Sequence, residues 1–361
     1  MTDYLLLVAR KVKSKTTIKN NVEIMKFIVN CIRTDLDKIT KKDINHFIDE
    51  INCWVRKRDG KPVADATKKQ YKIGLTRFLR HYGEEIENKN MIELAKFNFG
   101  KIKLMRKLPE DLLSRDDVSR LIAAADGTRD KALIATIFES GARRGEIEHC
   151  RIKDIMSNTN GFHMRLDGKT GQRQVLLHIY QTYLRDWLNA HPMGNDPTMP
   201  LFGKFEGDKY IALDGKAIYY IVRKTAKRAG IKSRCYPHLF RHSIATIMAR
   251  TLSEQQLKAR FGWDPGSTVV ADYVHLSGKD VDDTLLEAYG IIEKKKDDGT
   301  RVNVCVRCNM QVSPGIRYCP NCGQATTTTV AQDDESKLRE MLSILYKYPD
   351  MFAEVLAKAQ K

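Results

Sequence analysis

Three short stretches of this sequence hold residue types that handle anions and protons. Ser140-Gly141-Ala142-Arg143-Arg144-Gly145-Glu146-Ile147 puts two arginines just after a glycine. Pro237-His238-Leu239-Phe240-Arg241-His242 contains His-x-x-Arg, a spacing that sets both side chains on one helix face. Phe261-Gly262-Trp263-Asp264-Pro265 is followed, ten residues after the tryptophan, by Tyr273-Val274-His275. Guanidinium forks hold anionic oxygens without needing deprotonation, and a phenol is a nucleophile once its proton is removed. Taken singly, each stretch has a plainer reading: a surface cation, a chance pair on a helix, a core tyrosine. A fourth stretch is more specific. Cys305-x2-Cys308-x10-Cys319-x2-Cys322, with Pro320 and Gly323 beside the second pair, has the spacing of a tetrahedral four-cysteine zinc site. Four thiolates leave no open coordination position, so such a zinc is structural.

Composition bounds the setting for this chemistry. The chain has 361 residues, with 62 Lys and Arg against 45 Asp and Glu, a net charge of +17. That length predicts two or three domains, and that charge points first to nucleic acid as partner. The longest apolar run near the start, Leu5 to Ala9, is far too short to span a bilayer. The other four cysteines (Cys31, Cys53, Cys150, Cys235) are scattered, as reduced core residues of a cytoplasmic protein would be.

The elements that must position these residues are mostly helical. Thr40 caps a helix carrying Ile44, Phe47 and Ile51, with Asp43 three residues on. A second periodic run starts near Ala66, interleaves Tyr71, Leu75 and Phe78 with Lys68, Lys69, Lys72, Arg77 and Arg80, and ends at Gly83. Lys and Arg exceed Asp and Glu by eleven across residues 1–106, and helices with basic outer faces suit a clamp on a phosphate backbone. After a linker, Ser114 caps a helix through Ile122, and another runs from about Arg129 to Ser140, stopped by Gly141. Residues 161–178 alternate apolar and polar around Lys169-Thr170-Gly171, a β-hairpin pattern. Helices follow at about 179–190 and 215–229. Pro237 opens one through about Arg250, and Ser253 with Gln256 makes a capping box for a short helix ended by Gly262.

In order and spacing, Arg143, Lys169, His238 with Arg241, Trp263 and Tyr273 resemble the catalytic pattern of the tyrosine recombinase (phage integrase) family. Residues 114–290 carry the resemblance by motif, and residues 1–106 by layout. Phe-Gly-Trp followed by Tyr-Val-His-Leu-Ser-Gly looks most like archaeal integrases, here with a zinc-ribbon-like module added. The resemblance implies a mainly α fold with a small β-sheet. Its parts are a helical core-binding domain with linker (1–106), an α+β catalytic domain (107–292), a four-cysteine zinc module (300–325) and a helical tail (334–361). The tail places Leu338, Met341, Leu342 and Leu345, then Phe352, Val355 and Leu356 beyond Pro349, at helical spacing. Phe240 stands where leucine is more usual.

Carried over by position, Arg143 and Arg241 hold the nonbridging oxygens of a scissile phosphate, and Glu146 supports the site. Lys169 protonates the leaving 5′-oxygen, and His238 positions or deprotonates Tyr273. Trp263 supplies an indole N–H and packing. Tyr273 is the nucleophile, with Tyr289 the next candidate in sequence. The phosphotyrosyl bond conserves the phosphoester, so neither ATP nor a catalytic metal is called for, and structural zinc is the one cofactor expected. The partners implied are double-stranded DNA and further copies of the chain, as a tetramer on paired sites. Two other readings share parts of this pattern: a DNA-binding regulator on an inactive integrase scaffold, and a type IB topoisomerase-like relaxing enzyme. The full residue set argues against the first. The small helical N-terminal part and the zinc module favour recombination over the second. Arg301, Arg307 and Arg317 around the cysteines hint at nucleic acid or protein contact.

Overall fold

The computed structural model describes residues 15–32, 34–35, 38–56, 58–97, 112–168, 171–276, 289–291, 303–308 and 310–347. The chain divides into two compact units, Met1–Arg106 and Lys107–Lys361.

The first unit is helical. Helices α1 (Lys15–Cys31), α2 (Lys41–Cys53), α3 (Asp65–Glu85) and α4 (Lys89–Leu94) close around Ile28, Ile44, Phe47, Ile51, Leu75, Phe78 and Met91. Thr40 caps α2 in a reciprocal box: the Asp43 N–H donates to its hydroxyl, and its own N–H donates to the Asp43 carboxylate at 2.8 Å. Two expectations change here. Gly83 does not end α3, which runs on to Glu85. A Cβ at Gly83 would lie 2.9 Å from Met91 Cβ, so this glycine lets α4 pack across the helix. Lys72 is not on an outer face. It is buried beside the end of α2, where its Nζ donates to Asn52 Oδ1 while Lys68 donates to the Asn52 carbonyl. Lys69, Arg77 and Arg80 are the cations of α3 left exposed.

The second unit is built around a buried helix. Helix α5 (Arg115–Ala124), capped by Ser114 with Asp117, packs on α6 (Gly127–Ser140). Every residue of α6 from Ala132 to Ser140 is buried. A short α7 (Arg144–His149) leads to a three-stranded antiparallel sheet of β1 (Ile155–Asn158), β2 (Gly161–Gly168) and β3 (Gly171–Leu177). Phe162, Met164 and Leu166 on β2 face the core with Val175 and Leu177 of β3, the alternation expected of a half-buried sheet. Helix α8 (Gln181–Ala190), a small hairpin of β4 (Gly203–Glu206) and β5 (Lys209–Ala212), and α9 (Gly215–Arg228) follow. Helices α10 (Pro237–Met248), α11 (Glu254–Phe261) and α12 (Val269–Leu276) complete the core. The sequence pattern does not show α7, β1 or the β4–β5 hairpin, because each is too short to establish a period. A two-residue hairpin, β6 (Asn303–Val304) with β7 (Gln311–Val312), carries the cysteines, and α13 spans Thr328–Lys347.

Candidate active site

The site begins where α6 ends. Gly141 closes that helix at φ 57°, a conformation disfavoured for any residue with a Cβ. A Cβ there would also fall 2.4 Å from the Phe261 ring. The turn delivers Arg143 to the head of α7, where its backbone N–H donates to Glu146 Oε2 at 2.7 Å. Its Nη1 donates to Glu146 Oε1 at 2.9 Å and its Nη2 to the Gly262 carbonyl at 2.9 Å.

Arg241, on the first turns of α10, is 1 % exposed. Its Nη1 donates to the Gly141 carbonyl at 2.7 Å and its Nη2 to the Phe261 carbonyl at 2.5 Å. Its guanidinium lies over the Phe261 and Trp263 rings. Burial, then the charges of Arg143 and Arg173, push its pKa down to about 10, which leaves it cationic at neutral pH. The two arginines therefore hang from consecutive carbonyls, 261 and 262, at the end of α11. Arg143 keeps 30 % of its side chain exposed, so it is the one open to an arriving anion.

Glu146 holds a second guanidinium. Arg173, from β3, donates to both carboxylate oxygens at 2.8 and 2.7 Å, and its Nε donates to the Arg260 carbonyl at 2.9 Å. Burial raises the Glu146 carboxyl, but the bonds from Arg173 and the Arg143 backbone outweigh it and hold the group below the usual carboxylate range. A Cβ at Gly168 would lie 2.6 Å from Glu146 Oε1, so the distal end of β2 abuts this carboxylate. Lys169 follows directly and lies outside the described residues.

Tyr273, on α12, is 4 % exposed. Its ring stacks on Trp263 at 5.0 Å between centroids and 14° between planes, and Trp263 stacks in turn on Phe261. Burial pushes the phenol up to about 12, against the pull of the Arg241 charge. The phenol oxygen lies 2.7 Å from Nδ1 of His242, one residue past the expected His-x-x-Arg. His238 is exposed and meets the His242 ring edge-on at 4.5 Å. Tyr289, the other tyrosine considered, is 69 % exposed.

The structure thus gathers Arg143, His238, Arg241, Trp263 and Tyr273 at one place. Residues 111–279 match the model of the phage integrase family. This segment belongs to the phage integrase family.

A tyrosine recombinase of Synechococcus elongatus is 32% identical over 125 residues, 34% of this chain and 39% of that protein. Tyrosine recombinase XerA of Saccharolobus solfataricus is 24% identical over 284 residues, 75% of this chain and 86% of that protein. A lambda integrase tetramer bound to a Holliday junction shares the fold at a TM-score of 0.58 and 18% identity, over 78% of each chain.

Within this phage integrase segment, the sequence pattern does not reveal Arg173, His242, Arg260 or Glu139. Glu139 is buried on α6, and its carboxylate accepts the N–H groups of His178, Ile179 and Tyr180 at 2.5, 2.7 and 2.9 Å. It thereby holds the turn from β3 into α8, while Arg260 donates to its backbone carbonyl. Only His242 stands within a motif; the others are single residues whose partners are distant in sequence.

The four C-terminal cysteines converge. Cys305 and Cys322 place their sulfurs 3.6 Å apart, Cys308 and Cys319 3.5 Å, and all four lie within 4.8 Å of one another. Sulfurs at about 2.3 Å from a tetrahedral zinc stand at about this spacing, so the donor set fits such an ion. Beyond β7, Ser313 Oγ accepts the Thr182 N–H and donates to the Thr182 hydroxyl, while the Tyr183 hydroxyl donates to the Pro314 carbonyl. Tyr180, the N-cap of α8, makes no side-chain cap, so Ser313 supplies the one that helix lacks.

Arg317 is occupied by Asp333 of α13, and Tyr318 bonds Asp334. Arg307 is exposed, and Arg301 lies outside the described residues. Helix α13 starts at Thr328, six residues ahead of the expected tail, and leaves Leu338, Met341 and Leu342 exposed. Phe352, Val355 and Leu356 lie outside the described residues.

Proposed function

We propose that this chain is a site-specific DNA recombinase that cuts and rejoins strands through a 3′-phosphotyrosyl bond on Tyr273. The observation that carries the reading is the shared anchoring of Arg143 and Arg241 on the Gly262 and Phe261 carbonyls, with Tyr273 stacked on Trp263, the next residue along. A phosphodiester resists attack because its oxygens are anionic, and their charge grows as phosphorus becomes five-coordinate. Arg143 meets that charge from the open side of the site. Arg241 lies buried beneath, bonded to carbonyls, so its charge remains to act on the same anion. The loss of one such donor costs about 10²–10³ in rate.

In the forward step the Tyr273 oxygen bonds phosphorus, the bond to the 5′-oxygen breaks, and that oxygen takes a proton. Lys169 is our candidate donor, supported by the approach of neighbouring Gly168 to Glu146. A 5′-hydroxyl of the partner strand reverses the step. His238 and Trp263 complete the set, with Trp263 holding the tyrosine ring. Cys305, Cys308, Cys319 and Cys322 hold a structural zinc in a zinc-ribbon-like module.

The first unit serves as the DNA clamp, on the strength of its basic excess. The working assembly is a tetramer on paired sites, a reading supported by the lambda integrase tetramer that shares the fold. The archaeal affinity is supported by the similarity to XerA of Saccharolobus solfataricus over 75% of the chain. Among the described residues no helix is long and apolar enough to cross a membrane, and we place the protein in the cytoplasm with its DNA.

The test is incubation with nicked candidate sites and a search for protein linked covalently to a 3′ end, with Tyr273→Phe as control. A complex that survives in Tyr273→Phe removes Tyr273 from the role. Binding without any complex on a site that is otherwise recombined in the host supports an inactive scaffold instead.

A further inference from the structure

We infer that His242 is the catalytic group that takes the proton of Tyr273. This rests on the recombinase reading of Tyr273. The residue expected for the task by position is His238, yet that side chain is exposed at the start of α10 and packs against the His242 ring. One turn further along the same helix, His242 Nδ1 lies 2.7 Å from the Tyr273 oxygen, within reach for direct proton transfer.

The surroundings fix the pair. Tyr273 stacks on Trp263, and the His242 ring stands 5.7 Å from its ring and tilted by 30°. The phenol is buried, and among the described residues this imidazole is its hydrogen-bond partner. With the phenol as donor, Nδ1 carries the lone pair and Nε2 carries the proton. His238, edge-on to the same ring, lies on the solvent side.

The step balances without a further reagent. As the Tyr273 oxygen bonds phosphorus, its hydrogen passes to His242 Nδ1 and the imidazole becomes imidazolium. The 5′-oxygen leaves with a proton from the separate acid. In the return step the 5′-hydroxyl attacks phosphorus and gives its proton back to that separate acid, the phenolate leaves, and His242 returns the proton to the phenolate.

The test separates proton transfer from positioning. Asparagine places an amide oxygen near the position of Nδ1 but is no base. Single-turnover formation of the covalent complex is measured for the wild type and His242→Asn, each also carrying a fluorinated, more acidic tyrosine at 273. Expected is a roughly 10²-fold slower reaction in His242→Asn, with duplex binding unchanged, and recovery of most of that loss by the fluorinated phenol. A His242→Asn rate within about threefold of wild type, or a deficit that the acidic phenol leaves untouched, overturns the inference. Nitrogen-15 NMR of labelled histidine in the unaltered protein gives a second readout. His242 should show a protonated Nε2 and a bare Nδ1, and the opposite tautomer overturns the inference. A wild type that forms no covalent complex on a site it recombines removes the tyrosine reading itself, and this inference with it.

Discussion

Arg173 grips both oxygens of Glu146, and through that carboxylate it sets the pose of Arg143. The pair is nearly closed to solvent, with side chains 7 % and 3 % exposed, so neither charge can be rehydrated when the other is lost. Arg173 is a positioning residue, since it reaches the anion only through Glu146 and Arg143.

Arg173→Lys should slow covalent-complex formation by about 10–100-fold, since a lysine is a point charge that cannot span two oxygens. The affinity for duplex should stay near wild type, and that split between chemistry and binding is the readout. Equal losses in both would reduce Arg173 to a stabilising role. Arg173→Ala should be worse and should also lower folding stability, as Glu146 loses its two-pronged partner and keeps only Arg143.

Glu146 also predicts an acid response. Its folded carboxyl lies below the ordinary value, so its contribution to stability is complete above the unfolded value of about 4.3 and disappears as pH falls through the lower folded value. Glu146→Gln should melt lower than wild type at pH 7 and fall less steeply below about pH 4. Parallel curves for the two proteins across that range would contradict the assignment.

Gly141→Ala tests the turn itself. The added methyl meets the Phe261 ring at 2.4 Å, in a backbone conformation alanine disfavours. We expect about 1–3 kcal/mol of destabilisation. A larger effect should fall on cleavage, because the Gly141 and Phe261 carbonyls hold Arg241. Wild-type cleavage in this variant would show that the turn tolerates displacement.

The cysteine module should behave as part of the catalytic unit. Ser313→Ala removes the cap on α8 and should cost about 1 kcal/mol, with faster hydrogen exchange at the Thr182 amide. A zinc chelator should speed exchange at the same amide. If chelation leaves Thr182 protected, the module's fold does not depend on the ion.

Much of this was legible from residue order. Helix caps such as Thr40, Ser114 and Ser253 are local: the capping side chain and its N–H lie within three residues, so the pattern carries the structure. The cysteine pairs are legible for the same reason, since two short loops suffice to bring four sulfurs together. Gly83 and Lys72 misled because their roles are set by α4 and α2 crossing over them, which no local period records.

The amino-acid order alone determined the residue types of the site, the helical class of both units and the cysteine donor set, since each is written in spacings of a few residues. Tertiary structure decided which groups meet. The Phe261 and Gly262 carbonyls lie 20 and 119 positions from the arginines they hold, and His242 lies 31 from the tyrosine it touches. Those pairings exist because a buried guanidinium and a buried phenol must find partners once water is excluded, and only the packing of α10, α11 and α12 determines which partners are within reach.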